Sequence, residues 1–234
     1  MELTEQRAIL TGASRGIGRA LAAMLARNGV RVLAVGRDEI ALENLREELG
    51  VVPLCADLAD PAQVRALPER AAALWGGVDI LINNAGIGEP APLAQTPLEM
   101  WEQHMAINAR APFLLCQAAL PYLAQSHGTI VNISSVVGHR AYANQGAYSA
   151  SKHALVGLTE ALAQEVQPLG IRVHLISPGG VNTAMVARTR PDLAPEDLAQ
   201  PEEIADIVEF LLTHRCNAVI DEIRVRRHAN KPFQ

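Results

Sequence analysis

The pair in this chain best suited to moving a proton is Tyr148 and Lys152, set in the run Tyr148-Ser149-Ala150-Ser151-Lys152. On a helix, a four-residue spacing puts both side chains on one face about one turn apart, so an ammonium can lie near the phenol. An unperturbed tyrosine titrates near about 10, too high for efficient proton exchange at neutral pH, and a neighbouring cation lowers that value. Tyr148 then reads as a general acid or base. Only Lys152 and Lys231 among the 20 basic side chains are lysines, so a lysine here needs a reason. An arginine at 152 would present its charge as a broad planar fork instead of a compact ammonium. A buried aromatic beside a snorkelling lysine is the other reading of an isolated Tyr-x-x-x-Lys.

A second chemical signal is the run Thr11-Gly12-Ala13-Ser14-Arg15-Gly16-Ile17-Gly18, between an apolar strand and a helical pattern. Glycines there allow a tight turn and let a pyrophosphate approach peptide N–H groups at a helix N-terminus, where the dipole favours anions. The spacing is G-x-x-x-G-x-G, not the commoner G-x-G-x-x-G fingerprint. A glycine-rich turn serving only strand-to-helix packing is the alternative.

The elements that must position these groups follow from the apolar pattern. Strands are expected over 8–10, 30–35, 51–56, 78–82, 129–133, 171–176 and 222–225. Helices are expected over 19–27, 39–49, 61–75, 98–123, 147–166 and 201–212. Asp60 and Pro61 supply an N-cap and N1 pair, Gly50 a helix stop, and Pro112 and Pro121 a kink or break in the long fourth helix. Seven strands alternating with helices predict an α/β fold, a Rossmann-type doubly wound, mostly parallel sheet with helices on both faces. With no linker, repeat or low-complexity segment, the chain reads as one domain over 1–234, the irregular stretch 181–200 being a substrate lid with Met185, Val186, Leu193 and Leu198 over an apolar pocket.

Composition narrows the partners. Twenty basic against 25 acidic residues give a net charge of -5 with no basic block to track a phosphate backbone, so nucleic acid is not expected. No apolar run reaches the length of a membrane-spanning helix, and the N-terminal residues do not resemble a signal peptide. Cys55, Cys116 and Cys216 are widely spaced, which fits a reducing compartment, and the seven histidines show no metal-binding spacing. These features together read as a cytoplasmic protein with no metal.

The run 11–18, Asn83-Asn84-Ala85-Gly86, Asn108, Ser135, Tyr148 with Lys152, and Pro178-Gly179, in that order, resemble the signature of the short-chain dehydrogenase/reductase family, 3-oxoacyl reductases among its members. The resemblance runs from about 8 to about 212 and implies a carbonyl–alcohol oxidoreductase. It implies that Ser135, thirteen positions before Tyr148, polarises a carbonyl oxygen, with Ser134 the nearby competitor. It implies that Tyr148 exchanges the proton, that Lys152 lowers the phenol pKa and binds nicotinamide ribose, and that the Asn108 side chain holds a water in a relay to Lys152.

The same resemblance implies a cofactor site built from Gly12, Ser14, Arg15, Gly16, Ile17, Gly18, Arg37, Asp57, Leu58, Asn84, Ala85, Gly86, Tyr148, Lys152, Pro178, Gly179, Val181 and Thr183. Asn83 is read as tying strands together. The second strand ends Val35-Gly36-Arg37-Asp38, with glycine where an NAD-preferring acid would stand, and Arg37 and Arg15 available to a 2'-phosphate. NADP(H) is therefore preferred, and NAD(H) stays open through Asp38, which reads more simply as a helix N-cap. An NAD-dependent alcohol dehydrogenase and a non-catalytic dinucleotide sensor are the alternatives; the sensor sits poorly with an intact Tyr148 and Lys152. The expected partner is a small carbonyl or alcohol substrate, with a 3-oxoacyl thioester, a sugar and a small ketone all open. A homodimer or homotetramer is implied through the helices near 98–123 and 147–166. The tail from Asp221 departs from the family's glycine-rich ending and puts a second, C-terminal interface in doubt. His139 and Tyr142 are candidates for the pocket wall, and His153 reads as structural.

Overall fold

The structure is a computed structural model that describes residues 2–232; Met1, Phe233 and Gln234 of the span read as one domain lie outside the described residues. Seven strands, β1 (Arg7–Thr11), β2 (Arg31–Gly36), β3 (Val52–Cys55), β4 (Ile80–Asn83), β5 (Thr129–Ile133), β6 (Arg172–Pro178) and β7 (Glu222–Val225), form one sheet in the order β3-β2-β1-β4-β5-β6-β7. Every pairing is parallel. The chain starts in the middle, winds outward through β2 and β3, then crosses back to β4 beside β1. This reversal opens a crevice beyond the carboxyl ends of β1 and β4, where ligands bind in folds of this kind.

Side-chain alternation sorts the two faces. Ala8 and Leu10 of β1 pack with α1 (Gly16–Arg27), α2 (Glu39–Leu49) and α8 (Pro201–Thr213) through Leu21, Met24, Leu42, Ile204 and Val208. Ile9, pointing the other way, joins α3 (Pro61–Trp75), α5 (Ala111–Ser126) and α6 (Gly146–Val166) through Val64, Leu67, Leu115, Ala119 and Leu162. Asp38 caps α2 by accepting from Ala41 N–H at 3.0 Å, Asp60 caps α3, and Gly50 ends α2 in the left-handed region.

The long fourth helix is three pieces. Residues 98–105 form α4 (Leu98–Met105), Ala106–Arg110 widen into a π turn, and α5 follows. Pro112 has no N–H to return to the carbonyl of Asn108, and the Ala111 N–H reaches back five residues to Ala106 O. The break therefore falls just ahead of Pro112, whereas α5 runs through Pro121. The stretch 181–200, read as irregular, contains the short helix α7 (Ala184–Thr189) and a 3-10 turn at Pro195–Asp197.

A buried polar ladder ties the right half of the sheet to α6. Asn83 Nδ2 donates to Asn132 Oδ1 at 2.8 Å, and Asn132 Nδ2 to Thr159 Oγ1 at 2.8 Å. These partners satisfy groups that would otherwise be costly to bury, and they match the strand-tying role expected of Asn83.

Candidate active site

Each segment expected to carry chemistry leaves the same edge of the sheet. The loop 12–18 follows β1, Asn84–Ala85–Gly86 follow β4, Ser134 and Ser135 follow β5, and Gly179 follows β6. Among the described residues no side chain caps α1, so its first N–H groups are free to meet an anion. Gly12 and Gly16 turn at φ of 66° and 53°, and a Cβ on Gly18 would stand 1.9 Å from Gly12 O. Ser14 and Ile17 complete the loop, with Arg15 exposed beside it. Thr183 overhangs the loop, its Cγ2 3.0 Å from where a Gly16 Cβ would be. Asn84 spends its amide on the loop itself, donating to Thr11 O at 3.0 Å and Gly12 O at 3.1 Å. Its side chain clamps β1 to β4, leaving Ala85 and Gly86 to line the crevice.

At the β2 end, Arg37 and Arg15 are exposed and have no ion pair among the described residues. Asp38 is occupied as the α2 cap. Asp57 accepts from Ala59 N–H at 2.9 Å, a turn that leaves its second carboxylate oxygen outward, and Leu58 is buried beneath it.

At the β5 end, α6 brings Tyr148 and Lys152 together as the spacing requires. Lys152 is 3% exposed, and its Nζ donates to Ile133 O at 2.9 Å. Burial pulls the amine down to about 8. Tyr148 moves the opposite way from expectation: burial raises its phenol above the ordinary value, and only a hydrogen bond with Ser135 opposes that rise. The cause is loss of hydration, which disfavours the charged phenolate. Ser135 is the serine that meets Tyr148; its Oγ also donates to Pro178 O at 3.3 Å, while the Ser134 hydroxyl is turned to Lys152 O at 3.5 Å.

Asn108, fully buried in the π turn, holds two segments through its side chain. Its Oδ1 accepts from Ile87 N–H at 2.9 Å, and its Nδ2 donates to Ile87 O at 2.9 Å and Ser151 Oγ at 3.0 Å. These bonds clamp the loop after β4 onto α6. Gly86 fits between Asn108 and Lys152: a Cβ there would meet Asn108 Oδ1 at 3.3 Å and Lys152 Nζ at 3.5 Å.

Around these groups, Val181 bridges Ala199 and closes the segment 181–200 on itself, and Met185 Sδ stands 3.3 Å from where a Gly88 Cβ would be, opposite Tyr148. Tyr142 is exposed under the Arg140 guanidinium, and His153 bonds within α6 to Ser149 O. Two neighbours escaped sequence reading. His104, fully buried in α4, donates from Nδ1 to Met100 O at 2.7 Å, accepts from Glu89 N–H at 3.1 Å, and packs edge-on against Tyr148 with ring centroids 6.3 Å apart. Gln145, the N-cap residue of α6 three positions before Tyr148, buries an Oε1 that has no partner among the described residues. The only sequence signal for either is helical spacing, four residues from Asn108 and three from Tyr148.

The chain matches the short chain dehydrogenase family model over residues 6–194. It is 34% identical over 230 residues to an uncharacterised oxidoreductase of Staphylococcus aureus, covering 96% of this chain and 98% of that one. Among solved structures it resembles levodione reductase, with a TM-score of 0.87 and 31% identity over 95% of this chain and 96% of that one. A metagenomic short-chain oxidoreductase in complex with NADP gives a TM-score of 0.85 and 33% identity over 98% of this chain and 100% of that one. With the crevice, the glycine loop and the Ser135–Tyr148–Lys152 cluster in place, these matches show that the chain belongs to the short-chain dehydrogenase/reductase family, oxidoreductases of CH–OH and C=O groups.

Proposed function

We propose that this chain is an NADP(H)-dependent reductase that converts a small carbonyl compound to its secondary alcohol, and runs the reverse reaction when oxidised cofactor is in excess. The observation that carries this reading is the convergence of buried Ser135 and Lys152 with partly buried Tyr148 at the carboxyl end of the sheet, Ser135 in hydrogen-bond contact with Tyr148. A bound nicotinamide dinucleotide supplies or accepts the hydride.

The chain's residues do the rest. Ser135 releases its hydroxyl from Pro178 O and donates to the carbonyl oxygen, stabilising the charge that grows there. Tyr148 donates the proton to that oxygen, a role suited to a phenol that burial keeps protonated. Lys152, with one N–H on Ile133 O, has donors left for a ribose hydroxyl, and its charge strengthens when an anion enters the crevice. Asn108 keeps Gly86 and α6 at the spacing this needs.

The cofactor fit rests on the uncapped start of α1 for a pyrophosphate and on Arg15 and Arg37, exposed and unpaired among the described residues, for a 2'-phosphate. Asp38, already committed as a cap, does not compete for the ribose. The NADP held by the metagenomic relative is consistent with that choice. The segment 181–200 serves as a lid, with Thr183 over the glycine loop and Met185 facing Tyr148 across Gly88.

A second copy of the chain is the partner that best fits the face of α4, α5 and α6. There Trp101 and Phe113 are 39% and 45% exposed, along an open groove of about 890 Å³ with Met105, Ala109, Ala154 and Leu158. Apolar surface of this kind is characteristic of an association face.

Tyr148→Phe should abolish NADPH oxidation across a carbonyl panel, leaving NADPH affinity by fluorescence titration within about twofold, since only the proton donor is lost. Turnover at the wild-type rate would reject the mechanism. Replacing Arg15 and Arg37 with alanine should weaken NADPH binding by about a hundredfold while NADH is little affected, each charge-assisted contact being worth about 1.5–3 kcal/mol; equal loss for both cofactors would reject the 2'-phosphate assignment. Phe113→Glu should halve the sedimenting mass, whereas an unchanged mass would place the interface elsewhere.

A further inference from the structure

β7 is the edge strand of the sheet and belongs to the tail that departs from the family pattern, yet one of its side chains reaches the loop that carries Ser135. Glu222 Oε1 accepts from Ser177 Oγ at 3.1 Å and from His139 Nε2 at 2.6 Å, and His139 Nε2 is also 3.2 Å from Ser177 Oγ. Holding a donor to the carboxylate at Nε2 places the imidazole proton there. Arg224 closes the cluster from outside, with Nη2 3.0 Å from Glu222 Oε2. Burial works against the carboxylate, but Arg224, Ser177 and His139 together keep its pKa below the ordinary range.

Both partners of Glu222 are joined directly to Ser135. His139 ends the single 3-10 turn, Val136–Gly138, that Ser135 begins, with Gly138 N–H on Ser135 O at 2.9 Å and His139 N–H on Val136 O at 3.1 Å. Ser177, fully buried, precedes Pro178, whose carbonyl takes the Ser135 hydroxyl. The β6–β7 pairing continues past this point, Gly179 N–H reaching Val225 O at 2.7 Å. One carboxylate thereby staples the two segments that fix the Ser135 hydroxyl, one on each side of it.

We propose that Glu222 is a positioning residue for Ser135, acting through His139 and Ser177, so that the C-terminal strand is part of the machinery that polarises the carbonyl. The inference rests on the role given to Ser135 above. Glu222 touches neither cofactor nor substrate in this account; it holds the serine at the distance where its hydroxyl leaves Pro178 O for a carbonyl oxygen. Losing it frees the His139 ring and leaves the buried Ser177 hydroxyl without its acceptor, which loosens the turn but leaves the glycine loop, on the other side of the crevice, alone.

The test compares full-length wild type with Glu222→Ala, Glu222→Gln, His139→Phe and the Glu222→Ala/His139→Phe double variant, by amide hydrogen exchange and by steady-state kinetics. In Glu222→Ala the amides of residues 137–139 should exchange about tenfold faster with those of 12–18 unchanged, and kcat for carbonyl reduction should fall about tenfold with NADPH affinity within twofold, since a loosened serine still samples its position and loses less than the roughly hundredfold of a displaced catalytic group. Glu222→Gln keeps an acceptor oxygen and should restore both. The double variant should be no worse than Glu222→Ala alone. Unchanged exchange at 137–139, loosening spread over the whole chain, failure of glutamine to restore, additive losses in the double variant, or wild-type kcat despite loosening would each overturn the proposal. If wild type reduces no carbonyl at all, the functional reading fails, while the exchange comparison still decides whether Glu222 holds the turn.

Discussion

The site is organised by a single costly requirement, that the ammonium of Lys152 be held in the interior beside a phenol. A lysine that is 3% exposed loses hydration, and that burial pulls its pKa down to about 8. The surrounding architecture limits it. β5 ends so that Ile133 O meets Nζ, Gly86 lies against Lys152 where a Cβ would press on Asn108 Oδ1 at 3.3 Å, and the π turn before Pro112 places Asn108 to clamp the loop after β4 onto α6. Four elements far apart in sequence converge on one side chain.

Charge along the crevice follows the same logic on a larger scale. The chain carries a net charge of -5, yet its crevice has the open N-terminus of α1, Arg15 and Arg37 towards one end and Lys152 at the other. Cationic features spaced along a groove of an acidic protein suit an elongated ligand with phosphates in its middle and at one end. Arg7, away from the crevice, is by contrast paired with Asp79 at 2.7 Å.

Much of this was legible in the sequence because it depends on local rules. Apolar runs alternating with helical patterns gave every strand to within two residues or so at each end; the central strands, buried on both faces, leave an uninterrupted apolar signature, and the edge strands β3 and β7 a weaker one. The four-residue step from Tyr148 to Lys152 sets a helix face whatever surrounds it, and the glycines of 12–18 announce close backbone approaches that the structure contains. What stayed hidden is set by contacts between distant segments. The burial of the Tyr148 phenol is set by the loops packed around it, so the expected lowering of its pKa became a rise. The committed amide of Asn108 depends on a loop 21 residues away. His104 beneath Tyr148, and Glu222 reaching across to His139, involve residues whose types alone say nothing about their partners. Local chemistry can be read from a short run of residues, whereas the electrostatic state of a buried group requires the walls around it.

The central claim, that a compact buried ammonium at position 152 is indispensable to proton and hydride exchange at this crevice, is tested most directly by the NADPH-dependent turnover of Lys152→Arg on a carbonyl accepted by the wild type. The substitution keeps a positive charge and a good helix former, but replaces a point charge that fits beside Gly86 with a planar fork that does not. The account predicts a folded protein that has lost turnover by about a hundredfold or more, the scale of a misplaced catalytic group. A Lys152→Arg variant turning over within a few-fold of wild type would contradict it.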